Sequence, residues 1–319
     1  MVMDAQALAA PLSDFGLELG RVRADLPLAG SPERCGWRRV VEDTGGRLWV
    51  LERLNPGQGP RRERIAAMLR AVADAGCAGV VAPIPGREGR AVVAAQGYDW
   101  QVTPFVLGDP LPRPEYIADG ERGRALAAFL GDFKRCGLHV PCPADDAPFS
   151  LAGYISDLSG TVARLRPDVA AALAPVRGAL DELVSDYATA PMALGHGDFH
   201  PLNVIWGGPG VRVVVDWEFS GLRPELYDAA NCIGCVGSED PAYLTRGLVA
   251  AFVDGLWAEG VLTADNARWL HPLVLGLRMA WLSEWLRRRD GEMLEMELEY
   301  MRIIHEGRAQ LEAAWGIRR

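Results

Sequence analysis

The chain has 319 residues, of which 33 are basic and 42 acidic, so its formal net charge is −9. A 49% share of hydrophobic residues beside 24% charged ones is typical of a globular protein and excludes disordered, collagen-like and coiled-coil chains. The acidic balance argues against a nucleic-acid-binding protein, which needs a basic surface for phosphates.

The first 103 residues are predicted to form a small β-rich domain. Their N-terminal segment lacks the basic stretch of a signal peptide, and no apolar run in the chain reaches the ~18 residues of a membrane span. We therefore expect a cytoplasmic protein that contacts neither membrane nor nucleic acid. Ile65, Leu69 and Val72 recur at helical spacing until Gly76. Strands are predicted at 37–41, 48–53, 79–82, 91–95 and 100–106, with a turn at 42–46.

Residues 104–319 are predicted to form a larger, mainly helical domain. The block from Leu194 to Leu222 is the exception, because it holds two short apolar strands around a glycine-rich turn. The charge divides at the same boundary, with a net charge of +1 before residue 104 and −10 after it. Helices are predicted at 121–135, 151–165, 169–187, 241–259, 264–289 and 292–315. The predicted fold class is α+β with two lobes.

The non-helical block carries residue types that suit phosphoryl transfer. It contains His196-Gly-Asp-Phe-His-Pro-Leu-Asn203 and, after a predicted hairpin, Asp216-Trp-Glu218. Phosphoryl transfer needs a carboxylate that orients the attacking hydroxyl and accepts its proton, and it needs oxygen ligands for Mg²⁺. Asp198 can supply the first. The hairpin can bring Asn203 and Asp216 together to supply the second.

This two-part spacing resembles the catalytic segment of the aminoglycoside phosphotransferase-like small-molecule kinases, which include choline, homoserine, fructosamine and N-acetylhexosamine kinases. The resemblance implies a protein-kinase-like fold, with a nucleotide-binding lobe at 1–103 and a helical catalytic and substrate lobe at 104–319. It implies ATP, or GTP as the alternative nucleotide, together with Mg²⁺. It also implies that Asp198 is the catalytic base and that Asn203 and Asp216 bind the metal.

Four further residues of the same region receive expected roles. His196 is expected to hold the loop by hydrogen bonds, and Asp228 is expected to brace it. His200 lies between base and metal ligand, and it either faces the substrate or phosphate or serves only the conformation of the loop. Glu218, two residues beyond Asp216 on the same face of an extended strand, is a candidate contact for a second metal or the substrate.

The resemblance extends to the nucleotide site. Gly30 and Ser31 fall where the family has its nucleotide loop, and Gly30 lets the backbone approach phosphate oxygens. The segment beginning at Gln101 is predicted to be the hinge whose backbone binds the adenine edge. Thr103 and Phe105 of that segment are the accompanying candidate contacts.

The strand at 48–53 lies where the family usually carries a lysine for the nucleotide phosphates, yet Lys134 is the only lysine of the chain. Strand alternation leaves two registers, with either Glu52 or Arg53 facing the nucleotide. Arg53 has the charge that suits phosphates, so it is the predicted contact. The alternative is a solvated arginine and a weakened site. Glu63, in the next helix, is the candidate partner of that cation.

The phosphate acceptor is predicted to be a small hydroxyl compound bound by a monomer or homodimer. Similarity of residues 215–231 to choline- and hexosamine-type kinases favours a sugar, an amino sugar or an amino alcohol. Trp281, Glu284 and Trp285 share one helix face and either contact the substrate or belong to the core. Two alternatives stay open: an aminoglycoside antibiotic phosphotransferase, and a nucleotide-binding regulatory pseudokinase without turnover.

Overall fold

The computed structural model describes residues 5–28, 35–140 and 149–318, which fold as two compact units. The first unit comprises the described residues of 1–110, 135–146 and 202–220. The second comprises those of 111–134, 147–201 and 221–319. The sheet of the first unit and the helices of the second confirm the predicted α+β class. The lobe boundary at residue 103 stays a prediction.

The described residues form eleven α-helices and nine strands. The helices are α1 (Ala5–Asp14), α2 (Gly59–Asp74), α3 (Gly120–Gly137), α4 (Leu151–Leu165), α5 (Pro167–Ala172), α6 (Ala174–Asp186), α7 (Tyr227–Glu239), α8 (Gly247–Ala258), α9 (Leu270–Arg288), α10 (Gly291–Glu306) and α11 (Arg308–Ala314). The strands are β1 (Leu19–Val22), β2 (Trp37–Asp43), β3 (Leu48–Arg53), β4 (Val93–Ala95), β5 (Tyr98–Pro104), β6 (Met192–Gly195), β7 (Val204–Gly207), β8 (Gly210–Val214) and β9 (Gly221–Pro224).

Helix α1 covers one face of the main sheet of the first unit. The sheet has the antiparallel order β1-β2-β3-β5-β4. Leu12 of α1 lies in one buried apolar cluster with Trp49 and Leu51 of β3. Because successive strand residues point to opposite faces, Val50 and Glu52 of β3 point away from α1. The position of α1 therefore decides which side chains of β3 are left for a ligand site.

Local predictions in the first unit are mostly confirmed. Strand β3 and helix α2 form where expected, and Gly46 adopts a positive φ of 80° in the turn between β2 and β3. The strand predicted at 79–82 is wrong, because Gly79 has a φ of 84° that interrupts extended backbone. Helix α1 and strand β1 were not predicted.

The second unit has its core around helices α7 and α9. Nearly all of α7 is buried, and α9 also packs against α4, α6 and α10. Three predicted long helices are wrong, because each is interrupted. The helix predicted at 169–187 breaks at Leu173, just before Pro175, and the one predicted at 241–259 breaks at Arg246 and Gly247. The helix predicted at 292–315 breaks at Gly307. Pro175 lacks the N–H of a helix interior, and Gly247 has a φ of 58°. A helix was expected to start at Asp228, and α7 starts one residue earlier, at Tyr227, whereas the pair of strands β6 and β9 was not predicted.

None of the helices in the described part of the chain is long and apolar enough to cross a bilayer.

Candidate active site

In the second unit, a short two-stranded sheet presents the loop that contains Asp198. Strand β6 pairs with β9 in antiparallel register, with Gly195 opposite Gly221. The chain leaves β6 at His196, and Gly197 adopts a φ of 84°, which favours glycine at this turn. The loop thus starts from a fixed strand end.

Asp228, at the start of α7, holds this loop through its backbone. The carboxylate of Asp228 accepts hydrogen bonds from the N–H groups of His196 (2.6 Å) and Gly197 (2.8 Å). Burial raises the pKa of the Asp228 carboxyl to about 6, whereas the two N–H donors act in the opposite direction. Each N–H donor needs an acceptor oxygen, and the two carboxylate oxygens of Asp228 supply one to each. The expected bracing role of Asp228 matches this geometry.

His196 and Asn231 complete the hydrogen bonding of the loop. The ring of His196 is fully buried, and its Nδ1 accepts a hydrogen bond from the N–H of Asp198 at 3.1 Å. Asn231 of α7 donates to the carbonyl of Phe199 at 3.2 Å. The ring of Phe199 stacks on Phe129 at a centroid distance of 5.6 Å. His196 thus makes the kind of backbone hydrogen bond expected of it.

The carboxylate of Asp198 lies beside the ring of His200. His200 Nε2 is 3.5 Å from Asp198 Oδ1, and the two side chains are 12% and 22% exposed. Phe199, which separates them along the chain, is completely buried. His200 is therefore in contact with the carboxylate of Asp198, a contact that the spacing of the motif alone did not predict.

We expect the Asp228→Asn substitution to destabilise the protein by about 2–3 kcal/mol. An amide keeps one acceptor oxygen and places an NH₂ group against the second buried N–H, which then lacks a partner. Chemical denaturation at pH 7 measures the difference, and Asp254→Asn on the exposed face of α8 is the matched control. A loss no larger than that of the control would contradict the role of Asp228.

In the first unit, the hairpin of β7 and β8 brings the segments carrying Asn203 and Asp216 together. Asn203 precedes β7, and its carbonyl accepts the N–H of Val215 at 2.9 Å. Asp216 adopts φ 69° and ψ 47°, a left-handed conformation that turns the chain out of β8. The indole N–H of Trp217 donates to the carbonyl of Val214 at 2.8 Å and fixes this turn. A carboxylate and an amide oxygen therefore flank one end of the hairpin.

A cavity of the first unit lies against the sheet face opposite α1. Gln101 and Thr103 of β5 line it, opposite Glu52 and Val50 of β3 in the sheet register. Phe105 lines it as well, so the three residues predicted for the hinge all reach this cavity. The hairpin forms another wall with residues 213–217, which include Asp216.

The segment after β5 passes close to strand β7. The N–H of Asp109 donates to the carbonyl of Trp206 at 2.9 Å, and the carboxylate of Asp109 accepts the N–H of Gly208 at 2.7 Å. A Cβ at Gly108 would overlap the side chain of Ile205. Gly108 is therefore required for the close approach that joins the hinge to the hairpin.

Arg53 does not line this cavity, although the choice between Glu52 and Arg53 made from the sequence favoured Arg53 as the nucleotide contact. Glu52 and Val50 line the cavity, because α1 covers the face of β3 that carries Leu51. The guanidinium of Arg53 instead stacks on Tyr98 at 4.5 Å from the ring centroid and donates to the carbonyl of Gly36 at 3.4 Å.

The Arg53→Ala substitution should leave the affinity for ADP unchanged within the error of titration calorimetry. A broken charge-assisted hydrogen bond to a phosphate would lower it about 10-fold or more. A loss of that size would contradict the position of Arg53 and restore the prediction from the sequence.

Glu63 does not pair with Arg53 either. Its carboxylate accepts the N–H groups of Ala91 (3.0 Å) and Val92 (2.8 Å), and Arg90 approaches it at 4.0 Å. Glu63 thus holds the segment before β4 and does not line the cavity. The expected pairing of Glu63 with Arg53 is therefore not formed, and a role of Glu63 at the nucleotide stays a prediction.

Glu218 does not share an extended strand face with Asp216. The chain turns at Asp216, and residues 217–219 form one turn of 3₁₀-helix. The carboxylate of Glu218 pairs with Arg62 of α2 at 2.6 Å, and its backbone carbonyl accepts from Arg61 at 2.7 Å. The strand argument for Glu218 is therefore wrong, although a metal or substrate contact stays a prediction.

The tryptophan face of α9 is built as an aromatic pair. Trp281 and Trp285 stack at 5.8 Å, and both are partly exposed. Arg287 and Arg288 both contact the carboxylate of Glu284 at 2.6 Å and hold its pKa at about 2. A substrate role for these residues stays a prediction.

A buried ion pair lies beside the aromatic pair. Arg278 donates two hydrogen bonds to the carboxylate of Glu297 on α10, at 2.7 and 2.6 Å. Both side chains are at least 95% buried, and Arg278 also donates to the carbonyl of Gly234 at 3.2 Å. The pair thus ties α7, α9 and α10 together.

Gly30 and Ser31, the candidate nucleotide loop, lie outside the described residues. Their assignment stays a prediction.

The chain is similar to known proteins both in sequence and in structure. Residues 37–273 match the model of the family described as "Phosphotransferase enzyme family". A homoserine kinase from Beijerinckia indica subsp. indica is 28% identical over 232 residues, which cover 69% of each chain.

Two solved structures share the fold. An aminoglycoside phosphotransferase from Alicyclobacillus acidocaldarius superposes with a TM-score of 0.69 at 16% identity, covering 99% of this chain and 96% of the other. An amicoumacin kinase in complex with AMP-PNP, Ca²⁺ and Ami gives a TM-score of 0.63 at 15% identity, covering 89% of this chain and 91% of the other. These similarities confirm the predicted protein-kinase-like fold.

Proposed function

The chain belongs to the phosphotransferase enzyme family, and from this premise we propose that it transfers the γ-phosphoryl group of ATP to a hydroxyl group of a small molecule. The small-molecule kinase class predicted from the sequence is confirmed by the family and by its homoserine kinase relative. One observation carries the proposal: the carboxylate of Asp228 accepts hydrogen bonds from the two backbone N–H groups that directly precede Asp198, and so fixes the loop that carries it. A loop fixed in this way can position a base with the accuracy that phosphoryl transfer needs.

Asp198 is the proposed catalytic base. Its carboxylate would orient the acceptor hydroxyl and take up its proton while the oxygen attacks the γ-phosphorus and the bond to the β-phosphate oxygen breaks. His200, at 3.5 Å, would steady the carboxylate in the orientation that this proton transfer requires. The products are a phosphate monoester and ADP.

The cavity against the main sheet is the proposed nucleotide site. Val50 and Val213 offer apolar surface to a flat base, and Gln101 and Thr103 offer polar groups at its edge. GTP is the alternative nucleotide. ATP is the donor we favour, and the cytoplasm is the compartment that we propose for the reaction.

Asn203 and Asp216 are the proposed ligands of Mg²⁺. Carboxylate and amide oxygens suit this hard ion, and the hairpin fixes both segments by the hydrogen bond between Val215 and Asn203. When bound, Mg²⁺ would neutralise charge on the nucleotide phosphates. The residues present therefore fit the metal that the family implies.

The proposed acceptor is a small amino alcohol, a class that includes hydroxyl-bearing amino acids. The curated relative is named a homoserine kinase, whose substrate carries both an amine and a primary hydroxyl. The net charge of −10 on residues 104–319 also favours an acceptor that carries an ammonium group.

A panel of acceptors tests the function. ADP release is measured with homoserine, choline, aminopropanol, glucosamine and kanamycin, for the wild type and for Asp198→Ala. We expect at least one amino alcohol to raise ADP release above the background of the variant. A response to kanamycin alone would favour the antibiotic phosphotransferase. ATP binding without any response would favour the regulatory pseudokinase.

A further inference from the structure

The charges that surround the nucleotide cavity are arranged in the reverse of the usual order. In kinase-like nucleotide sites a lysine on the third strand approaches the phosphates, and a glutamate on the following helix pairs with it. Here β3 presents Glu52 to the cavity, and α2 presents Arg62. The acidic group stands on the strand and the basic group on the helix.

We infer that Arg62 of α2, with Arg38 of β2, supplies the positive charge for the nucleotide phosphates, and that Glu52 positions it. This inference rests on the proposed function. Arg38 and Arg62 are the two basic side chains among the described residues that line the cavity. Glu52 and Asp216 are the two acidic ones, so the described lining is electrically balanced. Without these arginines the cavity would repel a nucleotide phosphate.

Arg62 is held at the place where such a group is needed. Its guanidinium pairs with Glu218 at 2.6 Å, and the two side chains are 14% and 20% exposed. Glu218 follows Asp216, the proposed metal ligand, by two residues. A guanidinium has five N–H groups in a rigid fork, so it can contact a carboxylate on one edge and a phosphate on another. The ion pair therefore orients Arg62 beside the metal-binding turn.

Arg38 and Glu52 are neighbours across two strands. They are paired in the antiparallel register of β2 and β3, and both line the cavity. Side chains directly opposite in such a register have Cβ atoms about 4.5–5.5 Å apart. Glu52 can therefore interact electrostatically with Arg38 across the two strands and with Arg62 across the cavity.

Cys35 is a buried thiol close to the three charged residues of this cluster. The thiol is 6% exposed, and burial raises its pKa to about 11. The charge of Glu52 also raises that pKa, whereas the charges of Arg38 and Arg62 lower it. All three groups thus lie within electrostatic range of one buried atom.

Binding of ADP and adenosine tests the inference without requiring turnover. Titration calorimetry is performed on the full chain, with EDTA present so that no metal bridges the phosphates. We expect Arg62→Met to weaken ADP binding about 10- to 100-fold, the range for loss of a charge-assisted hydrogen bond, and to leave adenosine binding unchanged. Arg39→Met, one residue from Arg38 but exposed and away from the cavity, is the matched control and should bind ADP normally.

Moving the charge back to the strand provides the second variant. In Glu52→Lys/Arg62→Met, a lysine replaces the glutamate on β3, and we expect ADP affinity to recover at least 3-fold over Arg62→Met. Arg62→Lys, which keeps the charge, serves if Arg62→Met does not fold, and it should bind ADP more weakly than the wild type. Equal ADP affinity in the wild type and Arg62→Met would overturn the inference. Failure of the wild type to bind either ligand would instead overturn the proposed function.

Discussion

Replacing Asp198 with asparagine should lower kcat by about 10²- to 10⁴-fold, the usual contribution of a general base. The amide cannot take up the proton of the acceptor hydroxyl, although it nearly preserves the size of the side chain. Binding of ADP should be unchanged, because Asp198 is not among the residues that line the nucleotide cavity. Steady-state kinetics with the best acceptor of the panel measures the effect.

Two controls separate chemistry from folding in this experiment. The denaturation midpoint of Asp198→Asn should match that of the wild type, because the loop is held by Asp228 and His196 through backbone atoms. His200→Gln should reduce kcat less than Asp198→Asn does, since His200 acts through the carboxylate. A kcat for Asp198→Asn within about 3-fold of the wild type would be too small for a general base and would contradict its assignment.

The Glu297→Gln substitution should lower the free energy of unfolding by about 3–5 kcal/mol, because it leaves the guanidinium of Arg278 buried without its counter-charge. Glu297 is completely buried and receives two hydrogen bonds from Arg278. It also accepts a longer bond from the indole of Trp285 at 3.4 Å. Urea denaturation of the wild type and the variant measures the difference.

The same helix offers a matched control for Glu297. Glu299 is exposed and pairs with Arg302 on the surface, so Glu299→Gln should have no measurable effect. The double variant Arg278→Met/Glu297→Leu removes both charges and should be more stable than Glu297→Gln alone. The single variants Arg278→Met and Glu297→Leu complete the comparison, and a double variant as unstable as the sum of their two losses would show that the ion pair is not what holds these helices.

The catalytic spacing was predictable from the sequence because its parts are local. Asp198 and Asn203 are five residues apart, and the short strands between Asn203 and Asp216 form a hairpin whose turn is marked by glycines. Helix α2 and strand β3 follow equally local patterns. Each of these features depends on residues that are close together in the chain, so its pattern can be recognised in the sequence.

The orientation of β3 was not predictable from the strand itself. The choice between Glu52 and Arg53 depends on which face of the sheet is covered, and helix α1 covers one of them. Leu8, Leu12 and Phe15 in and just after α1 recur at helical spacing, so the signal was present in the sequence. Charge alone favoured Arg53, whereas packing of the apolar residues decided for Glu52.

Contacts between residues far apart in the chain account for the other features that could not be predicted from the sequence. Arg62 and Glu218 are 156 residues apart, and strands β6 and β9 are four-residue segments separated by most of the catalytic block. Four-residue strands are too short to show a clear periodicity of apolar residues, and an ion pair between distant residues leaves no periodic pattern in the sequence. The reversed charges of the nucleotide cavity became visible only when these segments were placed together.

The fate of the γ-phosphoryl group tests the central claim most directly. Purified protein is incubated with [γ-³²P]ATP, Mg²⁺ and the acceptor that gives the fastest ADP release, and the label is followed by thin-layer chromatography. The account predicts that one phosphorylated acceptor forms for each ADP and that Asp198→Asn slows its formation at least about 100-fold. Label found only in inorganic phosphate, in the protein or in unreacted ATP would contradict a small-molecule phosphotransferase.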